Sequence, residues 1–77
     1  MKRVGEVVRT AQGLAVLRSP DESYPNVGTL VVDSDLETVG RVVDIFGPVD
    51  QPYIAVSPDD GVVLPSLLGE KLYARSR

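Results

Sequence analysis

Residues 39–58 read VGRVVDIFGPVDQPYIAVSP: an apolar run, a Gly-Pro corner, a second proline and another apolar run. Gly47 can take a positive φ, and Pro48 and Pro52 each hold φ near about −65° and lack an N–H, so residues 47–52 cannot continue a sheet ladder. The stretch predicts two strands, over residues 39–46 and 52–57, joined by a stiff protruding tip. Phe46 and Tyr53 flank that tip, two of only four aromatic side chains in the chain.

Residues 3–10 (RVGEVVRT) are rich in β-branched side chains and end at Gln12-Gly13, which reads as the turn of a hairpin into a second strand over residues 13–19. Residues 19–28 (SPDESYPNVG) suit no regular element, so this is the main loop, with Tyr24-Pro25 expected to fold back over a barrel end. Residues 28–33 form a third strand and residues 34–38 a polar turn. After the SPDDG turn at residues 57–61, VVLPSLLG (62–69) is too short for a stable helix and is broken by Pro65. It reads as a turn with partial strand character. Residues 70–75 complete the set, with Leu72 and Ala74 facing inward. Short strands, regularly spaced turn signals and no helical period predict an all-β fold, a small six-stranded closed barrel in a single domain over residues 1–77.

A domain of 77 residues hides only about 60% of its extended-chain surface, so the core must be modest. With no cysteine and no histidine, neither disulfides, thiolate or imidazole metal ligands, nor a neutral-pH acid–base group is available. The Ser and Thr hydroxyls therefore lack a histidine to activate them, and neither lysine has neighbours that would lower its pKa, so no catalytic residue is expected. Asp33, Asp35 and Glu37 alternate as in a calcium loop, but the sixth and twelfth positions hold Thr38 and Asp44 where that loop needs Gly and Glu. An acidic turn is the reading, with no metal and no cofactor.

Charge is unevenly spread. Residues 1–18 carry Lys2, Arg3, Arg9 and Arg18 against Glu6; residues 19–69 carry Arg41 against nine carboxylates; residues 70–77 carry Lys71, Arg75 and Arg77 against Glu70. Pairing of the two terminal strands would merge the basic ends into one patch; the preferred reading is solubilising charge on frayed termini. At net charge −3 the chain is a poor candidate for tracking a phosphate backbone unaided. The aromatics Phe46 and Tyr53 stand near Asp44 and Asp50 rather than among basic residues, which favours a protein-facing surface over base stacking. The N-terminus lacks the roughly 7-residue apolar core of a secretory signal, and no apolar run approaches the roughly 18 residues of a membrane span, so a soluble intracellular protein with no membrane contact is expected.

The apolar alternation is imperfect. Over residues 39–46 one face would show Val39, Arg41, Val43 and Ile45 and the other Gly40, Val42, Asp44 and Phe46, and doublets recur at Val7-Val8 and Val31-Val32. The chain thus holds more apolar residues than one small barrel interior needs. The surplus either forms a partner surface or is absorbed by loops and a bulge. Which face of residues 39–46 looks outward, the one with Val43 and Ile45 or the one with Val42 and Phe46, stays open.

The segment GRVVDIFGPVDQPYIAVSP (40–58), preceded by GTLVVDSDLETV and followed by GEKLYARSR, resembles the core of the glycine-arginine-rich protein family, the small subunit of H/ACA ribonucleoproteins, in its short archaeal form. The Asp-Ile-Phe-Gly-Pro-Val run with Pro-Tyr carries the resemblance, and residues before about 28 add little. The Gly/Arg-rich tails of the eukaryotic members have no counterpart here, so the RNA contacts proposed for them are not carried over. The resemblance implies a barrel like that of translation factors (reductase/isomerase/elongation factor type) that docks on the catalytic subunit of a guide-RNA-dependent, dyskerin-like pseudouridine synthase. It implies a non-catalytic role that promotes substrate RNA loading and release, contact with the H/ACA guide RNA complex that is mostly indirect, and a cytoplasmic site in an archaeal cell or a nucleolar one in a eukaryote. On this reading the partner-binding residues are Val43, Ile45, Phe46, Gly47, Pro48, Val49, Pro52 and Tyr53. Two alternatives stand beside it: a PRC-type barrel adaptor of ribosome maturation, which shares a Gly-Arg-Val-Val-Asp strand start, and an OB-like RNA-binding barrel.

Overall fold

The computed structural model describes residues 2–75. Six strands, β1 (Lys2–Ala11), β2 (Leu14–Arg18), β3 (Leu30–Val32), β4 (Thr38–Phe46), β5 (Tyr53–Pro58) and β6 (Lys71–Ala74), close in the order β1-β2-β5-β4-β3-β6, every neighbour antiparallel. The predicted six-stranded closed barrel is therefore present. Closure gives every strand two partners and leaves no edge.

The interior is narrow and filled chiefly by valine. Val4, Val7, Val31, Val39, Val42 and Val56 pack with Ala15, Leu17, Ile54, Leu67 and Leu72 in one cluster. Burying each Val, Leu or Ile side chain is worth about 1.5–3 kcal/mol, and nothing else in a cysteine-free chain of this size supplies comparable stabilisation. To close around so small a core the two long strands must bend, and they do so at β-bulges. Register slips fall at Val4 and Val8 in β1 and at Val39 and Val43 in β4, and in each case the unpaired extra residue is a valine. These bulges account for the broken alternation. Val7 is core while Val8 is exposed, and Val42 is core while Val43 is exposed.

The bulges also reveal an internal repeat. Val4-Gly5-Glu6-Val7-Val8 and Val39-Gly40-Arg41-Val42-Val43 share sequence, burial and bulge positions. Val7 exchanges backbone hydrogen bonds with the lead-in to β6 (Val7 N to Glu70 O, 2.9 Å; Gly69 N to Val7 O, 2.8 Å), and Val42 does the same with the lead-in to β3 (Val42 N to Thr29 O, 3.0 Å; Gly28 N to Val42 O, 2.7 Å). Exchanging β1 with β4, β2 with β5 and β3 with β6 leaves the barrel order unchanged, so the halves are related by a pseudo-two-fold axis across the barrel. At the equivalent positions Gly5 and Gly40 the bent strand crosses a neighbouring backbone so closely that a Cβ would collide with the carbonyl of Arg18 or of Ser57.

Three expectations need correction. Residues 62–69 contain a single 3₁₀ turn, Leu64–Leu67, rather than partial strand: Pro65 suits the first helical turn, and Leu67 reaches the core. Tyr24 does not cover a barrel end and is 56% exposed. Its loop is organised instead by Ser19, whose buried hydroxyl lies 2.7 Å from the carbonyl oxygens of both Asp21 and Ser23, and by the Asp21 carboxylate, which accepts from Ser23 N at 2.7 Å. That hydrogen bond is the main reason the Asp21 carboxyl sits below its ordinary pKa. The terminal strands are not frayed: β1 and β6 pair from Lys2 opposite Ala74 to Glu6 opposite Lys71. Arg77, counted in the C-terminal charge, lies outside the described residues.

A methyl group at Gly40 forces overpacking against fixed backbone, so Gly40→Ala is expected to lose about 1–3 kcal/mol. Val43→Ala, at an exposed bulge, should stay within about 0.5 kcal/mol of the parent. Urea unfolding should show the first as a lower midpoint at unchanged slope. A Gly40→Ala protein as stable as the parent would overturn the close-approach account.

Candidate functional site: the β4–β5 hairpin

The pseudo-two-fold gives the β4–β5 tip an internal comparison. Ala11 pairs with Leu14 across the two-residue turn Gln12-Gly13, while Phe46 occupies the equivalent position opposite Tyr53 across the six residues 47–52. The barrel closes its first hairpin with the minimum, a turn in which both residues have positive φ (53° and 77°). The second hairpin carries four extra residues that closure does not require.

Those residues form a supported knob. Gly47 turns the chain at φ 91°, and a Cβ there would meet the Tyr53 ring at 2.8 Å. Gln51 N donates to Pro48 O at 3.3 Å, and the buried Pro52 accepts from Ser19 N through its carbonyl at 3.0 Å. The Gln51 amide bridges the base, with Nε2 donating to Ser19 O and Oε1 accepting from Arg18 Nη2, both at 3.2 Å. Phe46 and Tyr53 stack with centroids 5.7 Å apart and planes 26° from parallel, a pairing worth about 0.5–1.5 kcal/mol. The Arg9 guanidinium carbon lies 5.9 Å from the Tyr53 centroid. Val49 crowns the tip at 91% exposure.

The eight residues expected to contact a partner fall into two sets. Val43, Phe46, Gly47, Pro48 and Val49 are exposed and Tyr53 is half-buried beside them; Ile45 packs inward on the core and Pro52 is buried. The open choice of face is settled by neither pair. The bulge at Val43 switches the phase, so Val42 and Ile45 share the interior while Val43 and Phe46 share the exterior.

The outer wall next to the tip adds residues that sequence reading missed. Val16 lies between the inward-facing Ala15 and Leu17 and therefore points out. It pairs with Ala55, the two being flanked by Arg9 and Asp44, and they are only 4% and 3% exposed. With Val8 this makes an apolar floor bordered by one cation and one anion. The Val-Gly-x-Val-Val repeat is the signal that would have placed Val8 alongside Val43. At the other end of the barrel, Asp33, Asp35 and Glu37 form a turn: Asp33 Oδ1 accepts from Asp35 N at 2.9 Å and from Glu37 N at 3.0 Å. Among the described residues no helix is long and apolar enough to cross a membrane.

Known proteins resemble the chain along nearly its whole length. An uncharacterized protein of Methanothermobacter thermautotrophicus is 30% identical over 76 residues, covering 95% of this chain and 82% of its own. The H/ACA ribonucleoprotein complex subunit GAR1 of Chaetomium globosum is 25% identical over 71 residues, 91% of this chain and 34% of its own. That of Encephalitozoon cuniculi is 27% identical over 71 residues, 92% and 38% respectively. The chain thus spans little more than a third of the length of these GAR1 relatives. The model of the family described as the Gar1/Naf1 RNA binding region matches residues 1–77, and the chain belongs to that family.

Proposed function

We propose that the protein is a non-catalytic subunit of an H/ACA guide-RNA pseudouridylation ribonucleoprotein that docks, through the β4–β5 tip, on the catalytic domain of the pseudouridine synthase. The observation that carries this reading is the extra length of the second hairpin. In a chain of the Gar1/Naf1 family it displays Val43, Phe46, Pro48 and Val49 to solvent on a base braced by Gln51 and the Phe46–Tyr53 stack. Two prolines and an anchored base leave the tip little conformational freedom to lose, so its apolar contacts convert efficiently into affinity. Phe46 and Tyr53 are the anchors, Val49 and Pro48 the surrounding contacts, and Gly47 the hinge that keeps Tyr53 uncrowded. Ile45 and Pro52 act from beneath by holding the hairpin on the core.

Docking on a synthase changes its rate only by acting on a step the synthase already performs. A partner that contacts one position of a mobile, RNA-gripping loop better than another shifts that loop's equilibrium, and about 1.4 kcal/mol of difference changes the populations tenfold. Loading and release of substrate RNA are the steps such a shift governs. Contact with the guide RNA complex is then mostly indirect.

Phe46→Asp should leave a folded barrel, since its position is outside the core, and weaken binding to the synthase at least thirtyfold in RNA-free co-elution and titration. Leu36→Asp, on an exposed residue in the turn before β4, at the opposite end of that strand from the tip, should bind normally. Normal affinity of Phe46→Asp would overturn the assignment. Replacing residues 47–52 by Gln-Gly, the barrel's own minimal turn, should preserve strand circular dichroism and a cooperative melt while abolishing docking. A shortened protein that still docks would place the interface elsewhere.

A further inference from the structure

We infer that the outer wall centred on the Val16–Ala55 pair is a contact surface for a second copy of this chain, giving a two-fold dimer held by Arg9 and Asp44. Arg9, Val16, Ala55 and Asp44 stand in one row across β1, β2, β5 and β4. The pseudo-two-fold axis passes through the middle of that row, because it exchanges Val16 with Ala55 and the flanking pair Ala15–Val56 with Leu17–Ile54. It therefore carries Arg9 onto Asp44, so the wall has a cation and an anion at equivalent positions. Three strand spacings of about 4.8 Å separate them, too far for an ion pair within one chain. Both side chains are exposed. Arg9 lies against the Tyr53 ring, which leaves the N–H donors at the rim of its guanidinium, and Asp44 spends Oδ1 on Ile45 N at 2.8 Å and keeps Oδ2.

A second copy turned over about an axis parallel to β2 and β5 lays the same row on itself in reverse. Each Arg9 then faces the other copy's Asp44, and each Val8, 43% exposed, meets a Val43 of the same exposure. The small side chains of Val16 and Ala55 at the centre let the two walls approach closely, and the strand backbone there is already hydrogen-bonded within the barrel. Among the described residues, the rows on either side set no like charges opposite one another: Glu6 and Arg18 meet the other copy's Phe46 and Tyr53, and Arg41 meets Ala11. Turning the copy about the row itself would instead set Arg9 against Arg9. The wall is thus its own electrostatic complement in one arrangement, which makes a second copy the occupant, and every contact occurs twice, as an isologous pair requires. It belongs to the small, transient class of interfaces burying less than about 1,200 Å², so the dimer is a weak one. None of this depends on the ribonucleoprotein reading.

Sedimentation velocity on the full chain, from about 10 µM to about 1 mM at low salt, reads the association. The parent should shift from monomer toward dimer over that range, and added salt should weaken the dimer by screening its ion pairs. R9D and D44R each set like charges opposite one another, and each should weaken association at least tenfold while melting cooperatively. Mixed one to one, the two single variants should form a heterodimer as tight as the parent dimer, since each then presents the charge that the other faces. The double charge swap R9D/D44R should likewise restore self-association, a recovery that a misfolded variant does not give. The chain with Gln-Gly in place of residues 47–52 should associate as the parent does, which keeps this surface distinct from the docking tip. A parent that stays monomeric at about 1 mM, single variants that associate like the parent, a mixture or double swap that does not recover, or loss of association with the shortened hairpin would each overturn the inference.

Discussion

Everything in this structure follows from closing six short strands around a core only a valine or a leucine wide. A sheet that closes on itself at this size must coil sharply, and the bending is concentrated in β1 and β4, each of which pairs with two neighbours along different parts of its length. Bulges at Val4, Val8, Val39 and Val43 absorb the bend. Gly5 and Gly40 permit the backbone crossings that accompany it. The same geometry determines which valines are available to a partner, because each long strand sends its first bulge valine inward and its second outward.

The duplication within the barrel separates what the fold needs from what it has acquired. The halves agree in their long strands, in their bulges and in the hydrogen bonds that lead into β3 and β6. They differ in the length of the hairpin tip and in charge at equivalent positions. A two-residue turn suffices on one side and six residues are used on the other. Lys2, Arg3 and Arg18 of one half are matched by Glu37, Thr38 and Ser57 of the other, and Glu6 by Arg41. Closure itself requires neither the longer tip nor these cations, since the equivalent positions lack them. Gln51 braces the long tip and also lines the pocket shared by Arg3, Glu6 and Arg18.

Several features were legible in the residues because they are local. Prolines at 48 and 52, each without an N–H, interrupt any ladder wherever they stand, so the tip between β4 and β5 was readable, as were the Gln12-Gly13 turn and the strand character of runs of Val, Ile and Thr. The absence of histidine and cysteine narrowed the chemistry without reference to any fold. The 3₁₀ turn at Leu64–Leu67 was not legible. Its apolar residues fit a strand equally well, and only the packing of Leu67 on the core decides the matter.

Turn chemistry and β-branching act over a few residues, so the all-β class, the number of strands and the stiff apolar tip follow from the residues alone. Which side of each strand is inside was set only by pairing across the closed sheet. A one-residue bulge reverses the facing of all that follows, and its position depends on the pairing partner: Val42 and Ile45 point inward because Asp44, not Val43, lies opposite Ala55. It also decided that the strands β1 and β6 pair and that Arg3 and Arg18 line one pocket. These juxtapositions depend on which strands become neighbours on closure, a property of the closed sheet rather than of any stretch of the chain.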